Sequence, residues 1–381
     1  EKKEEREEEE EREEENDADR PVSMEYDSGT HLDQTLKKAS EAEVVVVVLG
    51  CVSREGEDRH TLALPPEEDR LVSLLATHHP NIVVFVRAPG PVLLPWIHLS
   101  SVRAVLLTFL PGQETGYADV ELLLGVYSPS GRLSVTLPQR DNEMRFTPEQ
   151  YPGDKKHRVH YTEGLNVGYR WYKGVGRELH PPVTPLFPFG FGLTYTTFKY
   201  ESLSISGVQE LEGEKRQEKK DNQYVYKGFS KKDERREDVN KYMVRRLWKV
   251  EKEWRGSNTT RTPDRERNDP YLHFPLFISF TLTNTGQVAA SEVVQLYLSH
   301  PPSAEEPPVQ LKGFQTVHLA PRESRVVSLS LTTRHISVWQ EQCHGWTVVP
   351  GVYTISVANS SDSLLLQSNI ILTVLNNTNN S

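Results

Sequence analysis

Five consecutive valines, Val44–Val48, closed by Leu49 and Gly50, constrain this chain more than any other feature. β-Branched side chains are stiff about χ1 and crowd the turns of a helix, so such a run reads as a strand. No polar residue alternates with the valines. That predicts a strand buried on both faces, as in a parallel sheet covered on each side. The neighbouring segments fit this picture. Leu32–Ala42 is predicted as a helix leading into the strand. Pro66–Thr77 is predicted as another, with Glu67, Glu68 and Asp69 in the first turn, where carboxylates suit the positive end of the helix dipole. Asn81–Val86 and Ala104–Leu107 read as further strands, and Glu114–Leu124 as a further helix. The alternation predicts an α/β domain with a mostly parallel sheet. It also puts the loop after Gly50 at a strand's carboxyl end, where open sheets of this kind bind ligands.

From about Phe274 the pattern changes. Phe277–Leu282, Val293–Leu298, Val326–Leu331 and Val352–Val357 are short and apolar, with Pro, Gly and Asn between them and a turn at Asn284-Thr285-Gly286. Spaced strands of this kind predict an all-β sandwich of immunoglobulin or fibronectin type. Residues 1–20 are almost entirely Glu, Lys, Arg and Asp, an acidic low-complexity tail with nothing to bury. Mixed-charge runs at 212–220, 231–236 and 261–267 predict a disordered insertion, with one amphipathic helix over Val239–Trp254. The expected plan is therefore a tail at 1–20, an α/β domain at 21–200, a charged insertion at 201–272 and a sandwich at 273–381. A chain of 381 residues suits more than one domain, because single cores rarely grow past about 250–300 residues.

A net charge of −10 argues against a nucleic-acid binder, which needs a basic face. No run of about 18 apolar residues is present to span a membrane. Cys51 and Cys343 lie in different predicted domains, are not expected to pair, and offer no metal cluster. Sequons place candidate glycosylation at Asn258, Asn359, Asn376 and Asn379, which points to a secreted, extracellular or lysosomal protein. With no apolar leader at Glu1, the chain is expected to be a fragment.

The densest chemistry is Ser53-Arg54-Glu55-Gly56-Glu57-Asp58-Arg59-His60, directly after the valine strand. By spacing alone it reads as a solvated loop; its place after the strand favours a functional one. Leu62-Ala63-Leu64-Pro65 follows. Then, in order, come Pro95-Trp96, Pro111-Gly112-Gln113-Glu114 with Gly116, Pro129-Ser130-Gly131-Arg132-Leu133, Tyr161 with Glu163-Gly164, Gly168–Tyr172 and Phe187–Phe198. This series resembles the α/β domain of glycoside hydrolase family 3. Asn284-Thr285-Gly286, Glu292–Tyr297, Leu311–Phe314 and Trp346 with Pro350-Gly351 and Tyr353 resemble the fibronectin type III-like module attached to many members.

The resemblance implies a retaining exo-β-glycosidase of β-glucosidase or β-xylosidase type, acting on β-linked oligosaccharides or glycosides and needing no cofactor or metal. Its loop without a long insertion looks most like the plant-type β-xylosidase branch. It implies an acid/base at Glu55, with Glu57 the rival if the loop aligns with a slip. Asp58 and Arg59 are implied to orient the loop or bind sugar hydroxyls. The nucleophile is implied to be an Asp on an N-terminal barrel of roughly 250 residues, absent from this sequence. The chain alone is thus expected to be inactive. The alternative is a non-catalytic secreted glycoprotein that binds carbohydrate or protein through its sandwich. Trp96, Trp171 and Tyr172 are expected in the core, and Gly190 and Gly192 in a tight turn.

Overall fold

The computed structural model describes residues 23–56, 59–151, 153, 158–207, 224–227 and 276–374. Two compact units divide the chain. The first comprises residues 1–54, 64–89 and 94–110; the second comprises 55–63, 90–93 and 111–381.

The first unit is the parallel sheet. Helix α1 (Leu32–Glu41) leads into β1 (Val45–Gly50); α2 (Pro66–His78), β2 (Ile82–Arg87) and β3 (Val102–Leu107) follow. The strands lie in the order β1-β2-β3, all parallel, with Val47 opposite Val84 and Val84 opposite Val105. Asp27 secures the approach to α1 by accepting hydrogen bonds from Thr35 Oγ1 and the Gly29 amide, at 2.7 and 2.8 Å. Helix α2 begins at Pro66, whose missing N–H costs nothing at that position. Its Glu68 carboxylate then accepts the Gly50 amide at 2.7 Å and ties the helix to the end of β1. A Cβ on Gly50 would stand 2.9 Å from the Arg87 carbonyl, so the close approach of the two strands requires glycine. Trp96 is buried in this unit, and its indole N–H donates to Asp69 at 2.8 Å.

The valine strand differs from expectation. Val47 and Leu49 are buried, but Val46 and Val48 are 44% and 53% exposed. Among the described residues β1 is an outer strand of its sheet, and its two faces are not covered alike. The pattern of burial on both faces belongs to the central strand β2, where Val84, Phe85 and Val86 are all buried. A continuous apolar run does not distinguish an edge strand from a central one.

In the second unit, α3 (Thr115–Leu123), α4 (Tyr169–Lys173) and α5 (Val175–Glu178) precede β4 (Phe198–Gly207) and β5 (Tyr224–Lys227). Then come β6 (Leu276–Asn284), β7 (Ala290–Ser299), β8 (Gln310–Leu319) and β9 (Ser324–Leu331). The short helix α6 (Thr333–Ile336) leads to a hairpin, β10 (Val338–Gln340) and β11 (Gly345–Thr347), and the chain closes with β12 (Gly351–Ala358) and β13 (Leu364–Val374). One sheet has the order β5-β13-β12-β7-β8 and the other β4-β6-β9. Their inner faces share a core that includes Tyr200, Ile278, Phe280, Leu296, Tyr353 and Ile355. Strand β6 shows strict alternation of buried and half-buried residues, the mark of a sheet covered on one face.

The boundaries of the expected plan move. Strand β4 pairs antiparallel with β6, from Phe198–Asn284 to Gly207–Leu276, so the sandwich begins near residue 198 and not at 273. Residues 201–207 and 224–227, expected in the charged insertion, are strands. The remainder of that expectation, with the helix over 239–254, lies outside the described residues, as does the acidic tail.

Candidate active site

The loop after β1 is held at its start, where the Cys51 amide donates to the Arg87 carbonyl at 3.1 Å, and again from Arg59 onward. Glu55 is exposed in a turn, followed by Gly56 at φ +78°, a left-handed conformation suited to glycine. Glu57 and Asp58 lie outside the described residues. Arg59 is half-buried and donates from Nη2 to the Pro91 carbonyl at 2.8 Å. Two residues on, Asp141 grips the backbone: Thr61 Oγ1 donates to Oδ2 at 2.5 Å and the Leu62 amide to Oδ1 at 2.8 Å. The Leu93 amide completes the anchor by donating to the Leu62 carbonyl at 2.9 Å. Residues 59–62 are thus fixed to segments 90–93 and 141, and Glu55 is exposed to solvent. His60 is exposed and Cys51 half-buried. Among the described residues no group of His, Cys, Asp and Glu is arranged to hold a metal ion.

Most of the motif residues do other work. Tyr169 stacks on Phe189 at 4.8 Å between centroids and meets Tyr297 edge-on. Gly190, at φ +80°, backs directly onto the Gln295 side chain, whose Nε2 donates to the Gly190 carbonyl at 3.0 Å. A Cβ on Gly192 would stand 2.6 Å from the Gly131 carbonyl. Tyr195 donates to the Leu122 carbonyl at the end of α3, at 2.7 Å. Trp171 and Tyr172 are buried, and the Tyr172 hydroxyl donates to the buried Glu143 at 2.7 Å. Deepest is an ion pair: Arg132 Nη2 meets Glu292 Oε2 at 2.6 Å, with side chains only 7% and 3% exposed, and Tyr200 donates to Glu292 Oε1 at 2.9 Å. Burial holds the Glu292 carboxyl above its usual range, although Arg132 pulls the other way.

Of the candidate glycosylation sites only Asn359 is described. It is half-buried, its carbonyl accepts from Gln295 Nε2 at 2.8 Å, and Ser361 of the same sequon is buried. Asn258, Asn376 and Asn379 lie outside the described residues. Sequence reasoning missed Asp141 and Pro91. Asp141 stands 79 positions from Leu62 in an unremarked polar stretch, and no local signal marks it.

The motifs that resembled a family are those that lock this unit together. Residues 6–195 match the model of the glycosyl hydrolase family 3 C-terminal domain, and residues 292–361 match the fibronectin type III-like domain. The chain belongs to glycosyl hydrolase family 3. A probable beta-glucosidase I of Aspergillus clavatus is 31% identical over 344 residues, 88% of this chain and 33% of that protein. Thermostable beta-glucosidase B of Acetivibrio thermocellus is 29% identical over 345 residues, 89% of this chain and 36% of the relative. Among solved structures, the beta-D-glucoside glucohydrolase of Trichoderma reesei aligns with a TM-score of 0.67 and 25% identity, covering 90% of this chain and 42% of that one. The beta-glucosidase DesR of Streptomyces venezuelae aligns with the same TM-score and 27% identity, over 90% and 35%. The family 3 chain described here thus spans about a third of the length of the curated relatives it matches. No helix among its described residues is long and apolar enough to cross a membrane.

Proposed function

We propose that this chain is the C-terminal portion of a retaining β-glycosidase and that Glu55 is its acid/base. The observation that carries the proposal is the anchored loop: residues 59–62 are held at both Pro91 and Asp141, and Glu55 stands exposed just before them. A general acid must reach the leaving oxygen of a substrate that arrives from outside, and it must be held on a support that does not drift. In a retaining mechanism Glu55 protonates that oxygen while a second carboxylate attacks the anomeric carbon. Glu55 then takes a proton from the water that releases the sugar. The two carboxyls must come within about 5–5.5 Å. No (β/α) barrel is present among the described residues, so the attacking Asp is assigned to a barrel outside them.

The names of the relatives favour a β-glucoside over a β-xyloside as substrate. Arg59 is assigned to orienting the loop, with Asp58 beside it. The sequons support secretion, although the burial around Asn359 makes that site a poor acceptor in the folded state.

The test is turnover of an aryl β-glucoside. The isolated chain should give none. The same chain supplied with a family 3 barrel should turn over, and Glu55→Gln should lower the rate about 10²–10⁴-fold. Added azide should rescue part of that loss with an activated leaving group, because azide replaces the water that the base would have activated. Turnover by the isolated chain, or indifference to Glu55→Gln, would overturn the assignment.

A further inference from the structure

A second cluster of chemistry lies on the sandwich. Strand β8 carries a bulge there: Leu311 pairs with Tyr297 and Gly313 with Leu296, which leaves Lys312 as the unpaired extra residue. Bulges re-aim a side chain out of the ladder, and this one places Lys312, half-buried, within electrostatic reach of Arg170 and Arg334. Among the described residues Glu306 is the carboxylate that acts on Lys312, and it already accepts from Gln310 Nε2 at 2.6 Å. The Arg170 Nε is buried without a hydrogen-bond partner. Burial lowers the Lys312 ammonium from its usual range, opposed by Glu306, and the two guanidiniums lower it further. Among the described residues three cations face one occupied carboxylate, and an anion would offset both their repulsion and the orphaned donor.

Beside them stands an aromatic surface. Trp339 of β10 lies directly opposite Trp346 of β11, with ring centroids 5.7 Å apart at 65°. The Arg334 guanidinium carbon lies over the Trp346 ring, 3.1 Å from its centroid. Trp339 is 49% exposed, a large apolar face turned to solvent.

We propose that the Lys312 bulge, Arg170, Arg334 and the Trp339–Trp346 pair form a subsite for an anionic pyranose in a glycan chain. The sugar ring lies on the indole face, and its carboxylate or sulfate meets the cations. Selecting a sugar among anions rests on the glycosidase reading; the need for an anion does not.

Titration calorimetry of the full chain tests this with four probes: oligogalacturonate, a heparin-derived oligosaccharide, a neutral xylo-oligosaccharide and inorganic sulfate. At least one acidic glycan should bind, which tells carboxylate from sulfate, and the neutral one should bind at least about tenfold more weakly. Lys312→Gln and Trp339→Ala should each weaken the acidic glycan about tenfold or more with unchanged circular dichroism. Added salt should weaken it too. Equal binding of the neutral glycan, indifference to Lys312→Gln, or binding of sulfate alone would overturn the inference. So would equal binding of poly-glutamate, which would make the patch a contact for acidic protein. Aryl β-glucoside turnover by the barrel-supplied chain, assayed in parallel, separates the failures: turnover without acidic-glycan binding removes only the subsite, and binding without turnover removes only the catalytic reading.

Discussion

Replacing Glu292 by Gln should expose how much of the second unit depends on one buried ion pair. The wild-type pair is short, 2.6 Å from Arg132 Nη2 to Glu292 Oε2, and both side chains are almost fully removed from water. Arg132 Nε and Nη1 already lack partners, so the carboxylate is the guanidinium's main compensation. Glu292→Gln keeps the shape and the Tyr200 contact but leaves a buried positive charge unbalanced. Losing one member of such a pair costs about 3–5 kcal/mol. At roughly 2–4 °C per kcal/mol for a domain of about 150–250 residues, the midpoint should fall by about 6–20 °C. Tryptophan fluorescence reports mainly on this unit, since Trp96 is the only tryptophan of the other.

Arg132→Met strands the carboxylate instead, and its cost should depend on pH. Burial raises the Glu292 carboxyl above 4.5, its ordinary value. Stability tied to a raised carboxyl is present in full below its unfolded value and is lost as pH rises through the folded one. Removing Arg132 takes away the opposing pull and raises the folded value further. Arg132→Met should therefore lie closest to wild type in mild acid and furthest from it at neutral pH. The double variant, with neither charge buried, should be more stable at neutral pH than the two single losses add to. If Glu292→Gln stays within about 1 kcal/mol of wild type, or the double variant is simply additive, the pair is not the fastener described here.

Gly190→Ala forces a side chain into a left-handed backbone position and against the Gln295 amide, and should cost about 1–3 kcal/mol or more in urea unfolding. Gly164, also at positive φ but with open space around it, is the control that should cost less. Asp141→Ala removes the two hydrogen bonds that Asp141 accepts from residues 61 and 62 and should speed proteolytic cleavage within 59–62 by about tenfold while global unfolding stays unchanged. A loss of global stability would mean that Asp141 holds more than the loop.

Elements whose signal is local were legible in the sequence. The runs at 81–86 and 277–282 and the acid-rich start at Pro66 gave strands and a helix within a few residues of those observed. What depends on tertiary neighbours was not legible. The valines of β1 look like those of a central strand, and only the sheet order shows that among the described residues they lie on an outer strand. Strand β4 is interrupted by Ser202 at φ +57° and a register shift, and β8 by the bulge at Lys312, so neither keeps a clean alternation. The site divides in the same way. Glu55 could be proposed because it follows a strand in a charged loop, whereas Asp141 holds that loop from a distant segment. Arg132 and Glu292 each stood in a quoted motif, yet nothing in either motif says that they meet.

The pairing of Gly207 with Leu276 sets the two ends of the intervening sequence on one rung of a ladder. Within that intervening sequence, β5 is added to the edge of the opposite sheet, with Lys227 beside Ile371. Because the two ends are already neighbours, each doubling of the intervening length adds only about 0.6 kcal/mol of closure cost. The rung formed by residues 207 and 276 is therefore a port in the fold. Sequence can be gained, exchanged or tagged there with little consequence for the core, provided that the rungs at 207 and 276 survive and the opposite sheet tolerates losing its edge strand.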